Sequence, residues 1–485
     1  MNSSDKGTSI FRNVIFNLIY KSLNIIFPII SAGYAARVLT PNGIGRNAIA
    51  QNNVSYFLII ALLGIYAYSI REVSRCRENK KELEKLFSEI MIINACLTTV
   101  ALVAFVISLF LIDSFRNDIA LYLICGIVLG VNYINFDWFF QATEEYKFIA
   151  VRSFAIKLLS LISLFLFVHE QSDFYVFALI NSVAICGHYL LNVFRAGKTV
   201  SFTIKNLNIK RHLKPLFMLA LCGVSSEIYS RLDISMLGII KDETTVAYYT
   251  YSQRIVNLIV GLIIAITAVF LPRLSFYFTT RKEEFNRLTK IGVDIMIFLS
   301  IPISCGIAAV SNPLIHVWLG SEYSEVIPCL IVLAFIIPLK SIGDIICYQV
   351  MICAGRESTL MIAYAVTLFI NAFANLMLIP SYGAFGACLA SFISEIFCFV
   401  FVLIFARRYQ EYSIDRRNCI VVAVSSLIMM GIVILVESYI VVPVIELLVG
   451  ILVGVLSFII MNLVSGNNYI AKMLLSKIKN SNHAE

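Results

Sequence analysis

Arg37–Arg75 reads RVLTPNGIGRNAIAQNNVSYFLIIALLGIYAYSIREVSR, and further on Ile239–Tyr277 reads IIKDETTVAYYTYSQRIVNLIVGLIIAITAVFLPRLSFY. Each holds an apolar run of roughly 20 residues, enough to cross a bilayer as a helix. At an offset of about 202 residues, Gln51 meets Gln253, and Arg71 meets Arg273 at the end of each run. A weaker echo, offset by about 212, sets QATEEYKF from Gln141 against CAGRESTL from Cys353. Matching charge at equivalent helix ends points to an internal repeat rather than to shared apolar composition alone.

Working outward, apolar runs of this kind begin near residues 14, 44, 88, 118, 147, 174, 215, 245, 288, 326, 357, 384, 418 and 444. The expected fold is an all-α integral membrane protein with about 14 transmembrane helices. The repeat divides it into two pseudo-symmetric six-helix bundles, residues 1–198 and 199–410, followed by two extra transmembrane helices and a cytoplasmic tail, 411–485. Six helices per repeat is an even number, so the two bundles share one membrane orientation, as parallel repeats of transporters do.

Composition agrees. With 59% hydrophobic and 14% charged residues in 485, the chain has too little polar surface for a soluble globule of its size. Its net charge of +8 comes from loop distribution, not from a nucleic-acid-binding surface. Basic residues crowd alternate gaps: Arg71 to Lys85, Arg195 to Lys214, Arg273 to Lys290 and Arg407 to Arg417, with the termini and minor sites, hold about 29 of the 38. The opposite gaps carry acids such as Asp113, Asp118, Glu170, Asp173, Asp242, Glu243, Glu322 and Glu325. Short Lys/Arg-rich loops stay in the cytoplasm, so both termini are expected there.

The twelve cysteines lie singly, mostly in apolar runs, without CxxC spacing or clustered histidines, so neither a disulfide framework nor a metal site is expected. No cofactor is implied. The first apolar run lacks a small-residue cleavage pattern and reads as a retained helix. No gap exceeds roughly 20 residues, which leaves the work to be done within the bilayer or at its faces.

Chemistry therefore rests on intramembrane charges. Lys21, Lys157, Arg231, Arg254 and Lys340 lie near mid-membrane, where each would cost about 2.5 to 3.5 kcal/mol facing lipid. One reading neutralises them: Glu227 with Arg231 and Lys340 with Asp344 share i, i+4 spacing, Lys21 snorkels towards the cytoplasm, and Lys157 is structural. The other gathers Lys21, Arg46, Arg231, Arg254 and Lys340 as substrate-binding cations of a cleft between the repeats, where repeat-built transporters bind their cargo. An anion is then the cargo, and Asp233, Asp344 and Glu395 are candidates for ion coupling or cavity pairs. Prolines 28, 272, 302, 338 and 380 interrupt helices, as suits a protein that rocks between two states.

The sequence resembles the multidrug/oligosaccharidyl-lipid/polysaccharide exporters, specifically the polysaccharide-transport branch that contains the Wzx-type O-antigen flippases. The likeness spans nearly the whole chain. It rests on ARVLTPNGIGRNAIAQ, SIREVSRCR, FDWFFQATEEYKFIAVRSFAIKLLSL, SRLDISMLGII with VAYYTYSQRIV, FLPRLS, and PSYGAFGACLAS. One departure is VAYYTYSQ, where relatives often carry glycine near Ala247. The resemblance implies a bacterial inner-membrane flippase, not an enzyme. It would move an undecaprenyl-diphosphate-linked oligosaccharide from the cytoplasmic to the periplasmic leaflet by alternating access, with H+ or Na+ as coupling ion. Membrane lipids, and a polysaccharide polymerase and chain-length regulator, would be its partners. A drug or cation antiporter of the same superfamily is the nearest rival, but its site should be lined with acids. A membrane glycosyltransferase or polymerase would need a long outer loop or acidic residues in the first outer loop, here LTPNGIG.

Overall fold

In the computed structural model of the chain, residues 3–411 and 415–465 are described, with side chains described for 26–411, apart from 219 and 221–223, and for 415–465. Helices are the only regular elements among the described residues. That follows from the solvent, because a bilayer offers no partner for backbone N–H and C=O groups and a helix satisfies them internally. Ten stretches are long and apolar enough to cross a membrane. They are fewer than the expected fourteen partly because Ser3–Leu62 and Glu357–Ala406 each continue through two expected segments, and because Ile119–Val131 is short, at 13 residues.

Both long stretches fold back on themselves. Within Ser3–Leu62 the helix breaks at Thr40 (φ 60°, ψ 165°), where Pro41 bars the preceding residue from helical dihedrals and then starts the next helix. Before the break, Phe27 lies against Phe154 and Tyr34 against Phe165, and the Tyr34 hydroxyl donates to Val168 O at 2.8 Å. After it, Asn53 Nδ2 donates to the Tyr122 hydroxyl at 2.9 Å and Tyr68 reaches His212. The two arms thus run in opposite directions, and the outer loop expected over LTPNGIG shrinks to the single non-helical residue Thr40. In Glu357–Ala406 the break is Gly383 (φ 55°), and a Cβ on Gly386 would come within 2.4 Å of Leu378 O on the other arm.

Local structure repeats as the sequence does. Lys80–Leu111 and Lys282–Ala309 begin 202 positions apart. Each is preceded by a short helix set off by a break: Ile65–Cys76 after Gly64 (φ 77°), and Leu271–Thr280 after Glu243–Thr267. Gln51 Nε2 donates to Asn47 Oδ1 at 2.8 Å and Gln253 Nε2 to the Tyr249 hydroxyl at 3.2 Å, each to the residue four positions back. The start of Glu243–Thr267 is capped by Asp242, which accepts from Thr245 N at 2.8 Å. The Thr245 hydroxyl, and then its N–H, hold the Asp242 carboxyl below its ordinary value.

Helix Lys80–Leu111 shows how an apolar helix is divided. Leu83, Leu86, Phe87, Ile90 and Ile93 are buried at helical spacing, while Val100, Val103, Val106, Ile107 and Phe110 are exposed on the face left for lipid. The segment FDWFF fills the core at the basic end: Phe87 packs on Phe136, Trp138 and Phe139, and Trp138 Nε1 donates to Asn135 O at 3.1 Å.

By packing, the chain forms two compact units, Met1–Ala247 and Tyr248–Glu485. Helix Lys210–Ile240 joins the first, since Asn52 Nδ2 donates to Ser235 Oγ at 2.8 Å and Gly64 lies against Leu216 and Ala220. The boundary near 198 concerns sequence equivalence and stands as a proposal about the repeat. In the second unit Arg416–Glu437 and Pro443–Val464 pack on each other and on Lys282–Ala309, with Phe298 against Phe458 at 5.3 Å.

Candidate functional site

Arg231 lies on Lys210–Ile240, whose position is fixed by a polar seam: Asn52 Nδ2 donates to Arg231 O at 3.3 Å, and the Tyr56 and Ser235 hydroxyls meet at 2.9 Å. Its guanidinium pairs with Glu227 at 3.2 Å, as the i, i+4 spacing predicts, yet Nε is buried without a hydrogen-bond partner. One donor of the fork therefore stays open. Asp233, two residues on, is buried.

Arg46 is not an open cation. Its Nη2 lies 2.6 Å from Asp118 Oδ2, the Tyr175 hydroxyl donates to the other carboxylate oxygen at 2.9 Å, and the guanidinium stacks over Phe174 at 4.3 Å. Arg254 is exposed and sits 5.6 Å from the Tyr251 ring centroid, with no carboxylate in ion-pair range among the described residues. Lys157 is half-buried. Lys21 lies outside the residues whose side chains are described.

Lys340 pairs with Glu395 at 3.7 Å rather than with Asp344. The i, i+4 rule presumes an unbroken α-helix, and here Asp344–Gln349 is a π-helical turn. A π turn stacks residues five apart, so Gln349 Nε2 donates to Asp344 Oδ2 at 2.7 Å, and the Thr267 hydroxyl takes up the same oxygen. The turn also leaves Ile346 O to accept from Gln410 Nε2 at 2.8 Å. Two candidate residues, Lys340 and Glu395, are thus brought together, and Asp344 belongs to a separate polar group.

A double-mutant cycle of Lys340→Met and Glu395→Gln, measured by unfolding in detergent, should give a coupling of about 1 to 2 kcal/mol. That is less than a fully buried pair, because the lysine side chain is 34% exposed. Strictly additive losses would mean that the two charges do not interact.

Two buried clusters escaped sequence reasoning. Glu89, fully buried, accepts from Asn208 N at 2.6 Å, from Arg211 Nη2 at 2.6 Å and from His212 Nε2 at 2.8 Å, while the Tyr68 hydroxyl meets His212 Nδ1 at 2.6 Å. Arg211 Nε also meets His212 Nε2 at 3.1 Å, so the ring is held at both nitrogens. Arg152, also buried, pairs with Asp137 at 2.8 Å and with Asn192, which donates to Asp137 at 2.6 Å. The available signals were Glu89, an acid inside an apolar run, and His212, a lone histidine in a basic gap; neither names its partner.

Residues 10–278 match the family model described as polysaccharide biosynthesis protein. A relative from Shigella dysenteriae assigned as an O-antigen transporter is 23% identical over 401 residues, 81% of this chain and 98% of its own length. One of the same assignment from Escherichia coli (strain K12) is 22% identical over 378 residues, 74% of this chain and 91% of its own. Among solved structures, the lipid II flippase MurJ in an inward closed conformation matches with TM-score 0.76 at 18% identity, covering 95% of this chain and 100% of that one. An inward-facing multidrug resistance MATE family transporter of the MOP superfamily matches with TM-score 0.65 at 12% identity, covering 81% and 97%. With the family model spanning more than half of its length and that fold throughout, the chain is a multi-pass membrane protein that belongs to the polysaccharide biosynthesis protein family.

Proposed function

We infer that this chain is a transporter, not an enzyme, and flips a lipid-linked oligosaccharide, an O-antigen or related polysaccharide repeat unit, across the bacterial inner membrane. The lipid carrier is undecaprenyl diphosphate and the direction is from the cytoplasmic to the periplasmic leaflet. Alternating access coupled to H+ or Na+ drives it, with both termini in the cytoplasm after fourteen crossings. A polysaccharide polymerase and a chain-length regulator take the product. The relatives' names support the class of cargo. The observation that carries the reading is cationic: the Arg231 side chain is 32% exposed and paired with a more exposed Glu227, and Arg254 is exposed with no carboxylate on it among the described residues, so both guanidinium groups can meet diphosphate or acidic sugar. Lys340, whose acid is at 3.7 Å, is a third such group. The drug or cation antiporter is disfavoured because Asp118, Asp344 and Glu395 are already engaged.

Arg231→Ala and Arg254→Ala should each cut export of surface polysaccharide by about tenfold to a hundredfold with normal membrane abundance, since a hydrogen bond to a charged group is worth about 1.5 to 3 kcal/mol. Lysine should restore part of the activity, keeping the charge but losing the fork. Wild-type polysaccharide in both alanine variants would make these residues structural. Orientation is checked separately by reporter fusions near Lys205 and Glu322, expected inside and outside the cell.

A further inference from the structure

Residues 197–209 join Phe174–Ala196 to Lys210–Ile240 without a helix or strand, yet their course is held. Ser201 N donates to Glu84 Oε1 at 3.3 Å, Thr203 N to Ser88 Oγ at 2.9 Å and Asn208 N to Glu89 Oε1 at 2.6 Å, all on helix Lys80–Leu111. With the backbone pinned inward, Phe202 and Ile204 are turned out, 54% and 76% exposed. These are two large apolar side chains on a fixed loop, outside any membrane-spanning helix, and nothing among the described residues buries them. Around them Lys198, Lys205, Lys210 and Lys214 are exposed and make no ion pair among the described residues, and residues 197–214 contain no acid. The strap lies at the first turns of two long helices, Lys80–Leu111 and Lys210–Ile240, and so at the level where those helices leave the hydrocarbon.

We propose that residues 197–214 form a lipid-contact surface: Phe202 and Ile204 enter the boundary between headgroups and acyl chains, and the four lysines bind anionic phospholipid headgroups of the same leaflet. Apolar insertion flanked by lysines is how interfacial segments hold to anionic membranes, and the positive charge of the strap selects the headgroup. The inference goes beyond the transport reading and requires no knowledge of the cargo.

The test uses full-length protein in vesicles of phosphatidylcholine with phosphatidylglycerol, one or the other brominated near the headgroup end of the acyl chains. The fluorescence that Phe202→Trp adds to the parent should be blue-shifted and quenched by both lipids, and severalfold more by brominated phosphatidylglycerol at equal fraction. Changing Lys198, Lys205, Lys210 and Lys214 to glutamine should remove that preference while leaving the quenching, since each lysine near an anionic surface is worth up to about fivefold in association. Emission typical of water and indifferent to bromine overturns the proposal. So does equal quenching by the two headgroups, or a preference that survives loss of the lysines. Should Phe202→Trp fail to insert, Ile204→Trp gives the same readings from the more exposed position.

Discussion

Gly45→Ala is expected to destabilise the first unit by about 4 kcal/mol and to deplete the protein from the membrane. A Cβ at this position would lie 1.6 Å from the carbonyl oxygen of Glu243 and 2.4 Å from its carbonyl carbon. Both are backbone atoms at the start of a helix, with no rotamer to change, so the overlap is relieved only by separating the two helices. Overpacking elsewhere costs about 1 to 3 kcal/mol, usually with side chains that can give way. Gly261→Ala is the matched control. It sits in helix Glu243–Thr267 with nothing within 4 Å of a built Cβ, so it should be neutral or stabilise by about 0.5 to 1 kcal/mol. Thermal unfolding in detergent and membrane abundance measure both; equal behaviour of the two variants would refute the close approach at Gly45.

Glu89→Ala should cost about 3 to 5 kcal/mol, the range for stripping one member from a buried charged cluster. The carboxylate is fully buried and its removal strands the N–H of Asn208 and the ring of His212. Arg211 suffers less, since its side chain is 40% exposed and can rehydrate. Glu89→Gln keeps one acceptor oxygen and should lose roughly half as much, the neutral hydrogen bonds being about half as strong. Because Glu89 holds residue 208, protease cleavage within residues 197–209 should rise in parallel with the loss of stability. Parent-like stability of the glutamine variant would show that the charge contributes nothing.

What could be read from the sequence was what depends on local composition. Lys80–Leu111 and its counterpart Lys282–Ala309 announce themselves by apolar length and by the lysines where they begin. The break at Thr40 falls inside the loop expected over LTPNGIG, but its brevity was not legible, because composition does not show that Pro41 restarts the helix at once. Arg231 with Glu227 was legible, being set by the pitch of one regular helix. Lys340 was misassigned for the complementary reason: a π turn shifts the phase after Gly343, and the true partner lies on another helix. Arg46 with Asp118 and His212 with Glu89 join residues 72 and 123 positions apart, separations at which no spacing rule operates.

The joints at Thr40 and Gly383 set how motion is geared in this chain. A single non-helical residue spans about 3.5 Å at most, so neither arm can slide or rotate appreciably without dragging its neighbour. Each antiparallel pair is a stiff coupling with no backlash, whereas the thirteen or so residues from 197 to 209 form a compliant link once their pins release. Displacement imposed on one helix of a jointed pair is passed whole to the other, and the smallest moving part in either stretch is the pair.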